Sequence, residues 1–136
     1  MTDPSKEAPH DKTRLRVLLA DGSLDSAKRF YAALERLSFV EIVGEAENSE
    51  QTLTLFFKLR PDVVVVSIIL SKQDGLEVLR CIKQAAPQCA VILTSYAPQN
   101  FLGQAATLLG ATALCSSEDG CAQLERVLDQ LWRGIG

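Results

Sequence analysis

The side chains best suited to covalent or metal chemistry in this chain are four cysteines, Cys81, Cys89, Cys115 and Cys121, and one histidine, His10. A structural zinc site takes four nitrogen or sulfur ligands, usually including a tight C-x-x-C pair. No such pair occurs, and the six-residue step from Cys115 to Cys121 suits neither a redox dithiol nor a metal knuckle. Nucleophilic use of Cys115 would need a base, and His10 lies in a polar N-terminal stretch. The cysteines therefore read as small apolar packing residues of a reducing compartment. Neither G-x-G-x-x-G nor a Walker A pattern follows any apolar run, so no phosphate-cradling loop is expected. What remains is a set of single polar residues directly after apolar runs: Asp21-Gly22, Ser67, Thr94-Ser95 and Ser116-Ser117. One carboxylate among hydroxyls can cap a helix, accept hydrogen bonds or hold a cation weakly.

The elements that must position these residues alternate regularly. Apolar runs cover Leu15 to Ala20, Val40 to Ala46, Asp62 to Ser67, Cys89 to Thr94 and, more weakly, Ala111 to Cys115. All are of strand length, and Val63 to Val66 is apolar at every position, as a strand covered on both faces should be. Between them, apolar residues recur at three- and four-residue steps: Leu24, Ala27, Phe30 and Leu34; Leu76, Leu79 and Ile82; Cys121, Leu124, Leu128 and Leu131. Two further helical stretches are expected over Thr52 to Leu59 and Phe101 to Leu109. Pro61 and Pro87 mark helix ends, and Gly110 a C-cap. Strands joined by helices must run parallel with right-handed crossovers, which predicts a doubly wound α/β sandwich. For five strands the expected order is 2-1-3-4-5, with any site outside the strand carboxyl ends.

Composition bounds the rest. In 136 residues, 47% are hydrophobic and 23% charged, an ordinary globular balance for one domain. Residues 1–14 carry three acids and three bases without apolar periodicity and read as a mobile polar tail, leaving 15–136 as the folded domain. The tail has no apolar core for a secretory signal, and no apolar run is long enough to cross a bilayer. With 14 basic against 17 acidic residues the net charge is −3, which argues against nucleic acid or an anionic membrane as partner. A cytoplasmic protein is expected.

Several stretches carry a family likeness: Val43-Gly44-Glu45-Ala46, Leu59-Arg60-Pro61-Asp62-Val63-Val64, Asp74-Gly75-Leu76-Glu77-Val78-Leu79, Val91-Ile92-Leu93-Thr94 and Gly110-Ala111. In their order and spacing, Leu15 to Trp132 resembles the receiver domain of two-component response regulators. The flavour is closest to receivers that precede a helix-turn-helix output domain, and no such module lies in the chain before Gly136. The resemblance implies a three-layer (βα)5 flavodoxin-like fold. It also implies a pocket in which two acids after the first strand hold Mg²⁺; Asp21 and Gly22 stand there. An aspartate ending the third strand would accept the phosphoryl group; Ser67 stands there. Thr94 matches the hydroxyl residue ending the fourth strand, Ser117 replaces a lysine after the fifth, and Leu114 replaces an aromatic switch residue.

These departures predict lost chemistry. A serine hydroxyl without a base cannot replace a carboxylate nucleophile, and Asp21 alone is a poor magnesium site. The expectation is therefore a pseudo-receiver without enzymatic activity, metal or other cofactor, acting independently of phosphorylation through a protein partner. The surface carried over from the family is built by the fourth helical stretch, the fifth strand and the last helix, through Phe101, Leu102, Leu114 and Trp132, with a homodimer as one form of contact. For Trp132 an edge of the core is the favoured reading over a dimer anchor. Simpler roles also stand beside each pocket residue: packing or hydrogen bonding for Ser67, a strand-end hydrogen bond for Thr94, a cap for Asp21, and an N-cap of the last helix for Ser117. The aliphatic Ile68, Ile69 and Leu70 either close the pocket mouth by packing or form a contact patch. Two rival readings are a small-ligand or nucleotide binder, for which Tyr96 is the only aromatic at a strand end, and a receiver phosphorylated at another acid such as Asp74.

Overall fold

The computed structural model describes residues 13–68, 70, 75–95, 107, 109–116 and 121–135. The five apolar runs form strands β1 (Leu15–Ala20), β2 (Val40–Ala46), β3 (Val63–Ser67), β4 (Ala90–Ser95) and β5 (Ala113–Ser116). They make one sheet in the order β2-β1-β3-β4-β5, parallel at every pairing. The helices among the described residues are α1 (Leu24–Glu35), α2 (Ser49–Leu59), α3 (Gly75–Ala85) and α4 (Ala122–Ile135). The helical stretch expected over Phe101 to Leu109 lies outside the described residues except for Thr107 and Leu109.

Two cores flank the sheet. Along β3, Val64 and Val66 join Phe56, Val78, Leu79 and Ile82 beneath α2 and α3. Val63 and Val65 join Phe30, Leu34, Leu124 and Leu128 beneath α1 and α4. The period-two alternation of a strand thus feeds both layers from an unbroken valine run. At the rim of the second core, Phe39 stacks on Trp132 with ring centroids 5.9 Å apart. Arg36 reaches Glu125 at 3.4 Å between α1 and α4.

Several boundaries differ from the sequence expectation: β3 starts at Val63, β4 covers Ala90–Ser95 and β5 covers Ala113–Ser116. Helix α2 begins at Ser49 instead of Thr52, because Asn48 Oδ1 accepts the Gln51 N–H at 2.9 Å and caps it. Its first turn buries Ser49 and Thr52, and Thr52 Oγ1 donates to the Asn48 carbonyl at 2.7 Å. A turn that buries polar side chains is invisible to a search for apolar periodicity. At the other end of the chain, α4 begins at Ala122. Cys121 has a left-handed φ of 72°, and its carbonyl accepts the Glu125 N–H at 3.0 Å, so Cys121 occupies the N-cap. Ser117 itself lies outside the described residues.

The connection from β3 into α3 is tight. The Gly75 N–H donates to the Ile68 carbonyl at 2.6 Å, and a Cβ on Gly75 would stand 2.2 Å from the Ser67 carbonyl oxygen. Gly75→Ala should therefore destabilise the fold by about 2 kcal/mol or more, read as a lower urea midpoint with an unchanged slope. Cys89 is buried with Sγ 3.6 Å from the Pro61 and Asp62 carbonyls, and burial pushes its thiol up to about 11. The folded state keeps the neutral thiol, so this residue's contribution to stability is intact below the ordinary thiol value near 9.0 and is lost as pH rises toward about 11. At pH 8, mass spectrometry after iodoacetamide should show half-buried Cys81 alkylated well before Cys89.

Candidate functional site

Parallel register brings the strand-end residues into one row. Ala20 pairs with Val66 and Ser67 with Thr94, so Asp21, Ser67 and Thr94 stand side by side at the carboxyl ends of β1, β3 and β4. Thr94 in turn pairs with Cys115, and Ser95 with Ser116. Thr94 is buried, Ser67 is half-buried and Gly22 is exposed.

Asp21 is held from several directions. Its N–H donates to the Ala46 carbonyl at 3.0 Å, which ties the end of β1 to the end of β2. Its Oδ1 accepts the Ser23 N–H at 2.9 Å, and its Oδ2 accepts the Ser26 hydroxyl at 2.5 Å. Ser23 is the N-cap residue of α1 but makes no side-chain capping bond. Asp21 therefore secures the entry to that helix, with a negative charge placed favourably at its N-terminus. Ser26 was not legible as a site residue, since nothing in the sequence shows that a polar side chain on the buried face of α1 points back at the strand end.

The loop after β3 closes over this row with apolar packing. Ile68 and Leu70 are buried in the α2/α3-side core with Ala20, Ala46 and Leu93. The Ile68 N–H donates to the Thr94 carbonyl at 2.9 Å, which extends the β3–β4 ladder by one bond. For these two residues the structure decides in favour of packing over a contact patch; Ile69 lies outside the described residues. On the β5 side, the Ser116 N–H donates to Gln123 Oε1 at 3.2 Å, linking the strand end to the first turn of α4.

The candidate residues, those matched to the family and those of the rival readings, divide accordingly. Asp21, Gly22, Ser67 and Thr94 gather at one end of the sheet. Ser117, Phe101, Leu102, Asp74 and Tyr96 lie outside the described residues. Leu114 packs against the α2/α3-side core and Trp132 against the α1/α4-side core, so the two belong to opposite layers. The carboxylate oxygens of Asp21 are engaged by α1, and Gly22 offers no side-chain ligand. Among the described residues, no three His, Cys, Asp or Glu are grouped so as to hold a metal ion. This donor set does not fit a magnesium centre, which needs several hard oxygen ligands in octahedral array. Asp21→Ala should leave the Ser23 N–H without its acceptor and the Ser26 hydroxyl with only the Ser23 carbonyl at 3.4 Å, and lower stability by about 1–3 kcal/mol in urea unfolding.

The profile of the response regulator receiver domain matches residues 17–116. Protein CcdB of Bacillus subtilis is 33% identical over 96 residues, which cover 71% of this chain and 79% of that protein. A protein-glutamate methylesterase/protein-glutamine glutaminase of Alkalilimnicola ehrlichii is 33% identical over 82 residues, 60% of this chain but 21% of that protein. The chain thus spans about a fifth of that relative, and 55% of the regulatory protein YdfI of Bacillus subtilis. The non-phosphorylated receiver domain of the stress response regulator RcsB from Escherichia coli superposes with a TM-score of 0.80 at 21% identity, covering 89% of this chain and 95% of that one. With the strand order, the site's position and the profile in agreement, the chain belongs to the response regulator receiver domain family.

Proposed function

We propose that this domain is a pseudo-receiver: a two-component signalling module that has lost phosphoryl-acceptor chemistry and acts, without enzymatic activity, through protein contacts independent of phosphorylation. The observation that carries the reading is Ser67 at the end of β3, beside Thr94, where the family resemblance expects an aspartate. A serine hydroxyl is a far weaker nucleophile than a carboxylate at neutral pH and carries no charge to draw a metal-bound phosphoryl donor. Three further features support it. Asp21 is engaged by Ser23 and Ser26, Gly22 lacks a carboxylate, and Leu114 stands where the family has its aromatic switch residue. With both charge partners and the switch side chain gone, the domain has one resting conformation to offer a partner. No described helix is long and apolar enough to cross a membrane. The proposed setting is the cytoplasm, with neither nucleic acid nor a bilayer as the direct partner.

The test is incubation with Mg²⁺ and either acetyl phosphate or beryllofluoride, followed by intact mass and backbone amide spectra. No adduct and no saturable shifts at residues 21, 67 and 94 are expected; either one overturns the proposal. Gly22→Asp, Ser67→Asp and Ser117→Lys combined should then confer Mg²⁺-dependent beryllofluoride shifts that the parent chain lacks. Light scattering across a concentration series tests the homodimer, and a strictly monomeric result removes that form of contact.

A further inference from the structure

The most exposed large hydrophobic side chain among the described residues is Leu24, 70% accessible at the first position of α1. It stands over a cleft of about 520 Å³ between the start of α1 and the end of β2, lined by Leu19, Ala27 and Ala46 and, at the strand end, by Asp21 and Gly22 of the candidate site. A second cleft of about 450 Å³ continues along the first turns of α2 to Leu55. The two clefts adjoin at Glu45 and Gln51, which line both, and together follow the end of an edge strand as a groove in two parts. Its walls carry the exposed carboxylates of Glu45, Glu47 and Glu50, and no lysine or arginine lines either cleft. Asp25, next to Leu24, adds another exposed carboxylate at the α1 end.

We infer that this groove is a docking surface for a basic segment of a partner protein, one that places Lys or Arg against Glu45, Glu47 and Glu50 and an aliphatic side chain against Leu24. The inference rests on the pseudo-receiver reading, in which the domain works by protein contact, and names the surface and the chemistry of what it contacts. Charge complementarity selects the occupant. Uncompensated carboxylates at the rim favour a cationic segment and speed its encounter, while the apolar floor supplies an anchor position. A second copy of this chain, with net charge −3, brings the wrong overall sign. A metal ion is disfavoured because no three described acids converge on one point.

The probe is a fluorescein-labelled Lys/Leu amphipathic peptide of about twelve residues, a length sufficient to follow the groove, with a Glu/Leu peptide as control. The expected result is saturable anisotropy with the basic peptide alone, weakened several-fold as salt rises from about 0.05 M to 0.5 M. Amide shifts should concentrate at Leu24, Glu45, Glu47 and Gln51. Leu24→Ala, and separately Glu45→Gln with Glu47→Gln, should each raise Kd by about tenfold, and circular dichroism should stay unchanged because these side chains are exposed. Absence of binding, shifts centred on another face, or affinity unchanged in both variants overturns the inference. So does the same shift pattern produced by Mg²⁺ alone, or by raising the protein concentration without peptide. The beryllofluoride experiment separates the two claims. A phosphoadduct with the groove still binding removes the pseudo-receiver reading alone, whereas no adduct and no groove binding removes this inference alone.

Discussion

Burial of β3 on both faces is the constraint on which the rest depends. Every side chain from Val63 to Val66 is essentially inaccessible, and consecutive residues enter opposite cores. A strand in that situation cannot display a functional group along its length, because an unpaired polar atom there would face hydrocarbon on either side. Polar chemistry is therefore confined to where the strand leaves the sheet, at Ser67. The parallel arrangement puts all carboxyl ends on the same side, so Asp21, Ser67 and Thr94 become neighbours although they are 46 and 27 residues apart in the chain.

At that end, the interactions that hold the fold are the ones that occupy the candidate pocket. The Asp21 carboxylate is engaged in starting α1, and its N–H joins the ends of β1 and β2. Ile68 and Leu70 belong to the core, and Gly75 brings α3 against the Ser67 carbonyl. The same few contacts thus fix the start of α1, the β3–α3 connection and the ends of three strands at once. The groove between the start of α1 and the end of β2 includes Asp21 and Gly22 of this end in its lining, and there the carboxylates Glu45, Glu47 and Glu50 have no lysine or arginine among the lining residues.

How much could be read beforehand depended on the range of the interaction. The β1 and β2 bounds follow from apolar runs, and the strand order from parallel crossover geometry, because burial on two faces writes itself into every residue of a strand. The start of α2 escapes apolar periodicity because Ser49 and Thr52 are buried polar residues; Asn48 accepts the Gln51 N–H with its side chain and the Thr52 hydroxyl with its carbonyl. The left-handed turn at Cys121, just ahead of α4, has no signal in a residue that is not glycine. For Trp132, the stack on Phe39 requires two segments some ninety residues apart to meet, which local periodicity cannot reveal.

The sequence by itself determined the alternation of strands and helices, the parallel sheet and its order, and the identities of the residues ending each strand. Those features follow from hydrophobic periodicity and chain connectivity, which are local properties. Only the tertiary structure decided what the strand-end residues do. Hydrogen bonds from Ser26 and Ser23 place Asp21 in the service of α1, and packing places Ile68 and Leu70 in the core. It also decided that Leu24 stays in water above an acidic groove. A side chain's partners are set by which elements the fold brings within a few ångströms, and such proximity is encoded by the whole chain at once.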